Sequence, residues 1–137
     1  MKILFLNPPD MNQVLEHTLD EKSGEYMEFR KFGSFPSLGL LYVMSYLENN
    51  APHHKLYYKD CSAERISHKE LIDYVTEIKP DIVAFTSFTV NMIDVVMAAK
   101  NIRKIVPDAH LCLGGHHPIA FPFESASLPE FDSIVVG

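Results

Sequence analysis

Apolar residues come in short blocks whose period changes along the chain. Lys2 to Leu6 (KILFL) is apolar on both faces, as in a strand buried inside a parallel sheet with helices above and below it. Leu40, Val43, Met44 and Leu47 then recur at helical spacing until Asn49, Asn50 and Pro52 stop the helix. Lys55 to Lys59 (KLYYK) predicts a short strand, polar enough to lie at a sheet edge. Ser67 and Glu70 have the spacing of a capping box, in which each side-chain oxygen accepts an otherwise orphaned backbone N–H. They open a helix with Leu71, Ile72, Val75 and Ile78 on one face, closed by Pro80-Asp81. Ile82 to Thr86 (IVAFT) is a central strand. Met92 to Val106 is a third helix with Ile93, Val96, Met97, Ala99, Ile102 and Val106 predicted to face inward. Ala109 to Leu113 is the fourth strand, Phe123 to Leu128 a short helix, and Phe131 to Val136 the fifth strand. A further helix would be expected after that strand, where the sequence stops at Gly137, so its edge is expected to be covered by a partner domain.

Strands alternating with helices through short turns predict an α/β fold, a doubly wound five-stranded parallel sheet with helices on both faces. The flavodoxin-like order 2-1-3-4-5 suits the pattern, because it puts the polar second strand at an edge and the KILFL and IVAFT strands inside. The 137 residues suit one domain, 1–137. Its irregular part is residues 8–36, broken by Pro8, Pro9, Gly24, Gly33 and Pro36, and long loops tend to carry function. Ligands of such sheets bind beyond the carboxyl ends of the strands, at the switch point between the first and third. Asn7-Pro8-Pro9, Thr86-Ser87-Phe88-Thr89 and Gly114-Gly115-His116-His117 are predicted to converge there.

Composition narrows the chemistry. An apolar share of 47% with 22% charged residues is that of an ordinary folded, soluble chain. Net charge is −6 and the 12 Lys and Arg are scattered, so no basic stripe marks a nucleic-acid partner. The N-terminal apolar run is far too short for a signal peptide or a membrane span. Cys61 and Cys112 lie far apart, without the spacing of a disulfide framework or a cysteine-ligated metal, and a cytoplasmic chain with reduced thiols is the expectation. The first loop is Asn7-Pro8-Pro9, with neither the acidic cluster of a phosphorylation receiver nor the Ser/Thr/Gly cradle of a flavin phosphate site nor GxGxxG. Prolines also remove N–H donors that a phosphate would use.

The segments MKILFLNPP, FPSLGLLYVMSYLE, the Asp60 region, KPDIVAFTSFT, LGGHHPIAFP and FDSIVVG, in this order, resemble the N-terminal cobalamin-binding (Rossmann-like) domain of cobalamin-dependent radical SAM proteins. The resemblance covers nearly the whole chain and rests on order and spacing more than on any one motif. It implies a B12-binding domain that holds cobalamin, a cobalt-containing and in that sense metal-binding module. The family pattern of Ser-x-Leu or Ser-x-Thr after the third strand and Gly-Gly after the fourth is matched by Ser87-Phe88-Thr89 and Gly114-Gly115. By resemblance the hydroxyls would hydrogen-bond the nucleotide tail, and the glycines would let it run close to the backbone. The family's Asp-x-His-x-x-Gly is kept only as Asp60. Ser62 stands where the cobalt-ligating His would be and Arg65 where the Gly would be, which implies a corrinoid bound without the usual lower-face His.

The implied cofactor contacts are Asn7, Pro8, Asp60, Ser62, Ser87, Phe88, Thr89, Gly114, Gly115 and His117, with no catalytic residue and no protein metal ligand. SAM and the 4Fe-4S cluster, which needs three cysteines, would belong to a radical SAM catalytic domain acting in cis or trans, so the chain is not expected to be catalytic alone. Plainer readings stand beside these. Gly114-Gly115 is also an ordinary turn signal, Ser87 and Thr89 are also N-cap residues for the third helix, and Asp60 could cap or bridge loops. His116 and His117, neighbours in a segment expected to be extended, would point opposite ways and could not share a metal. His53 and His54 are expected to be solvated. Phe29, Phe32, Phe35 and Phe121 could line a pocket or belong to the core. Two other functions remain open, a binding domain for another nucleotide-like small molecule and a cofactor-free protein-interaction domain.

Overall fold

The structure, a computed structural model, describes residues 1–12 and 36–137. Most of the long segment expected over 8–36, with Phe29, Phe32 and Phe35, lies outside the described residues.

Five strands form one parallel sheet: β1 Lys2–Asn7, β2 Lys55–Asp60, β3 Ile82–Ser87, β4 His110–Gly115 and β5 Ser133–Ile134, in the order β2-β1-β3-β4-β5. Helices α1 Leu38–Asn50, α2 Cys61–Glu64, α3 His68–Ile78, α4 Met92–Ile105, α5 His116–Ala120 and α6 Pro122–Ala126 connect them. The chain moves one way across the sheet from β1 to β2 and the other way thereafter. Right-handed crossovers therefore put α1 on the face opposite α3 and α4. The doubly wound architecture is the one the residue pattern predicts.

The core lies on the α3 and α4 face. Leu4, Leu6, Val83, Phe85, Leu111 and Leu113 alternate along the three central strands and are buried against Leu71, Val75 and Ile78 of α3 and Val95, Ala98, Ala99 and Ile102 of α4. Ser67 caps α3 as expected, accepting the Glu70 N–H while Glu70 Oε2 accepts the Ser67 N–H at 2.8 Å. Among the described residues, no helix is long and apolar enough to cross a membrane.

Several local expectations are corrected. In α4 the inward stripe is Val95, Ala98, Ala99 and Ile102, whereas Ile93 and Met97 are exposed. The inward side also carries Asp94, whose carboxylate accepts hydrogen bonds from Asn12 and His68. In α1, Leu40, Met44 and Leu47 are half-buried but Val43 is exposed. His116 and His117 open a helix instead of continuing an extended segment. His53 is solvated as expected, but His54 is half-buried beside it, and desolvation lowers its pKa. Helix α2 was not foreseen; Asp60 nucleates it by accepting the Ala63 N–H at 3.0 Å. The fifth strand is shorter than FDSIVV suggests. At its start the Asp132 carboxylate, held by Arg103 at 2.7 Å, takes the Leu111 N–H in place of a backbone carbonyl.

Candidate functional site

The register of the sheet sorts the predicted residues onto two faces. Tyr58, Phe5, Ala84, Cys112 and Ser133 are successive cross-strand partners and form one row on the α1 side. One pleat nearer the carboxyl edge, Asp60 pairs with Asn7 and Thr86 with Gly114, extending the same face. The row tapers from two large aromatic rings at β2 and β1 to small side chains at β3, β4 and β5. Helix α1 packs over β1 and β2, while Ala84, Cys112 and Gly114 remain half-buried. Among the described residues, this leaves a shallow trough over β3 and β4 toward the carboxyl edge. Cys112, in the trough wall, is a residue that sequence reasoning did not single out, and Thr86 beside it was named only within the segment after the third strand. Period-two alternation from Phe85 would have found Thr86, which lies across the sheet from Ser87.

Ser87 faces the other way. It is fully buried, and its Oγ donates to the Gly114 carbonyl at 2.9 Å, tying the ends of β3 and β4. Its partner in the ladder is Gly115, at φ 98°, a conformation that favours glycine. Neither Ser87 nor Thr89 caps α4. The Asn91 side chain accepts the Phe88 N–H at 2.9 Å and shapes the 3-10 turn Thr89–Asn91, whereas Thr89 Oγ1 shares a hydrogen bond of 3.0 Å with His117 Nδ1.

The two histidines separate completely. His117 is buried, with Phe121 tilted against it at 5.2 Å between ring centroids. It also borders an apolar cleft of about 400 Å³ between α4 and α6, walled by Met92, Ile93, Val96, Met97 and Leu128. His116 is exposed and stacks on Phe88, with centroids 4.6 Å apart and planes 13° from parallel. Phe88 is nearly half exposed, so the pair forms an aromatic rim at the carboxyl edge. Phe121 is itself 45% exposed and therefore not core.

At the β1 and β2 end, Asp60 is buried and fully engaged. Its Oδ1 accepts Asn7 Nδ2 at 2.8 Å as well as the Ala63 N–H, and its Oδ2 accepts the Tyr58 hydroxyl at 3.0 Å. Burial, reinforced by the Asp60 charge, pushes Tyr58 up to about 12, so this hydroxyl stays a donor. Capping and bridging are thus observed roles of Asp60. Ser62 Oγ donates to Asp10 at 2.9 Å, and Pro8, directly after β1, is buried. Cys61 is buried, and desolvation raises its thiol to about 12, which makes it a poor nucleophile.

A Cβ on Gly114 would meet the Phe85 carbonyl at 3.5 Å and Val135 Cβ at 3.8 Å, ordinary contact distances, so it is tolerated by the fold but takes up trough space. A family model described as the B12 binding domain matches residues 32–137. Over 107 residues, 77% of this chain, the sequence is 31% identical to the anaerobic magnesium-protoporphyrin IX monomethyl ester cyclase of Cereibacter sphaeroides, and the match spans 17% of that relative's length. No solved structure matches the chain. With three quarters of its length under the family model, this chain belongs to the B12 binding domain family.

Proposed function

We propose that residues 1–137 act as one module of a larger cytoplasmic radical SAM enzyme. In this reading it seats a corrinoid on the carboxyl edge of the sheet and takes the nucleotide tail into the trough over β3 and β4. The carrying observation is the taper of the trough-facing row from Tyr58 and Phe5 to Ala84, Cys112 and Ser133, with Thr86 and Gly114 above it at the carboxyl edge. Small residues leave room for a flat group, and the Thr86 hydroxyl supplies one polar contact beside it.

In this reading each residue takes a role that its position supports. Asn7, Pro8 and Asp60 wall the β1 side, Phe88 provides an apolar edge for the macrocycle, and Gly114 lets the tail lie close to β4. Ser87, Thr89, Gly115 and His117 stand one layer behind and set the shape of the two strand ends. The Asp60-Cys61-Ser62 turn carries no imidazole, and Ser62 Oγ donates to Asp10, so in this reading the loop would hold a corrinoid without offering it a nitrogen ligand. Bound here, a corrinoid would supply methyl transfer or another radical reaction, with SAM and the iron–sulfur cluster held by a separate catalytic domain.

Hydroxocobalamin mixed with the purified chain and passed through gel filtration tests this. Co-elution of the corrinoid with wild type, and its loss from a Gly114→Val chain that still unfolds cooperatively, is the expected result. Equal retention by Gly114→Val would remove the trough as the site, and a wild type without corrinoid would remove the cofactor reading.

A further inference from the structure

The segment that leaves β1 is held by side chains at three points. Asn7 Nδ2 donates to Asp60 Oδ1 at 2.8 Å, and Asp10 Oδ2 accepts Ser62 Oγ at 2.9 Å. Asn12 makes the third attachment twice over, its backbone N–H donating to Asp94 Oδ2 at 2.6 Å and its Nδ2 to Asp94 Oδ1 at 2.8 Å. Asp94 lies in the first turn of α4 and has no exposed surface. Among the described residues it also pairs with His68 Nε2, at 2.7 Å, on the first residue of α3.

A carboxylate with no exposure is costly to bury, and replacing such a group by an apolar one of similar size is often neutral or stabilising. Packing of α3 against α4 does not need it, since Leu71, Val75, Val95, Ala99 and Ile102 already supply that contact. What only the carboxylate does is gather donors from two elements distant in sequence. It binds Asn12, on the segment that leaves β1, and the residue that begins α3, and it does so at the carboxyl end of the sheet.

We propose that Asp94 is a positioning residue that fixes the height of residues 8–12 beside the corrinoid site, and so sets corrinoid affinity without touching the cofactor. This rests on the cofactor reading given above. Because Pro8 and Asp10 lie on the same short segment, releasing Asn12 would loosen that part of the wall beside the trough, while Asn7 stays in β1 opposite Asp60. The effect resembles that of outer-shell partners of a metal site, whose removal costs about 10–100-fold in affinity.

Asn12→Asp tests this without altering the core, because it sets a second carboxylate against Asp94 while the His68 and Asp94 pair stays in place. Asn12→Ala is the milder companion, removing one of the three donors. Hydroxocobalamin affinity would be read by spectral titration, beside thermal unfolding and amide hydrogen exchange of residues 8–12. Expected are a melting temperature close to wild type, faster exchange across the segment, and affinity weakened about tenfold for Asn12→Ala and more for Asn12→Asp. Faster exchange with unchanged affinity would overturn the positioning role, and unchanged exchange in Asn12→Asp would overturn the attachment itself. A wild-type chain that fails to bind hydroxocobalamin would remove the cofactor reading and this role with it, an outcome distinct from the other two.

Discussion

Gly115 and Ser87 pair across β4 and β3 so closely that a Cβ on Gly115 would lie 2.5 Å from both the backbone nitrogen and the carbonyl oxygen of Ser87. Backbone cannot yield to such a contact, and φ 98° adds strain for any L side chain. Gly115→Ala is therefore expected to cost about 2–4 kcal/mol, read as a fall in the urea midpoint at constant slope. Gly114→Ala, whose Cβ would make only ordinary contacts, should cost about 1 kcal/mol or less. Equal losses at the two glycines would show that the pair is a turn with no division of labour.

The two cysteines should differ in reactivity. Cys61 is buried with its thiol raised to about 12, whereas Cys112 is half-buried in the trough. Iodoacetamide at pH 8 is expected to label Cys112 in the folded chain and both residues in urea. Saturating hydroxocobalamin should slow labelling of Cys112. Undiminished labelling in its presence would place the tail elsewhere.

Thr89 and His117 provide a third test. Thr89→Val keeps the shape but removes the hydroxyl from a buried imidazole, and should cost about 1–2 kcal/mol in thermal or urea unfolding, while Thr89→Ser should retain most of the stability. If Val and Ser behave alike, the hydrogen bond contributes nothing measurable.

Acidification acts at Asp132. Its hydrogen bond from the Arg103 guanidinium, then that from the Leu111 N–H, hold its carboxyl below the ordinary range. A group whose folded pKa is depressed adds stability above its unfolded value and loses it as pH falls through the folded one. Asp132→Asn should then be less stable than wild type near pH 7, by about 1 kcal/mol or less for so exposed a pair. The difference should close as pH drops below the ordinary carboxylate range. A gap that persists in acid would assign the effect to lost geometry instead of charge.

The β-α alternation, the order of the strands and the capping of α3 were legible in the sequence because each depends on local period or on short-range hydrogen bonding. KILFL and IVAFT need no distant partner to be read as buried strands, and Ser67 and Glu70 satisfy each other. The rotation of α4 was not legible, since Ile93 and Met97 fit an apolar stripe as well as Val95 and Ala98 do. The buried side also holds Asp94, whose partners Asn12 and His68 are 82 and 26 residues away.

The candidate site divides in the same way. Its segments were located by topology, because a doubly wound sheet has one switch point and the chain order says which loops reach it. Which face each side chain takes was decided in three dimensions. Register placed Asn7, Asp60, Thr86 and Gly114 on the trough and turned Ser87 to the other side, and the helix begun after Gly115 sent His117 inward and His116 out to Phe88. By itself the sequence determined the periodicity, hence the elements and their connection. Only the tertiary structure decided the pairing of polar groups, because a buried donor or acceptor takes its partner from wherever the fold brings one within about 3 Å.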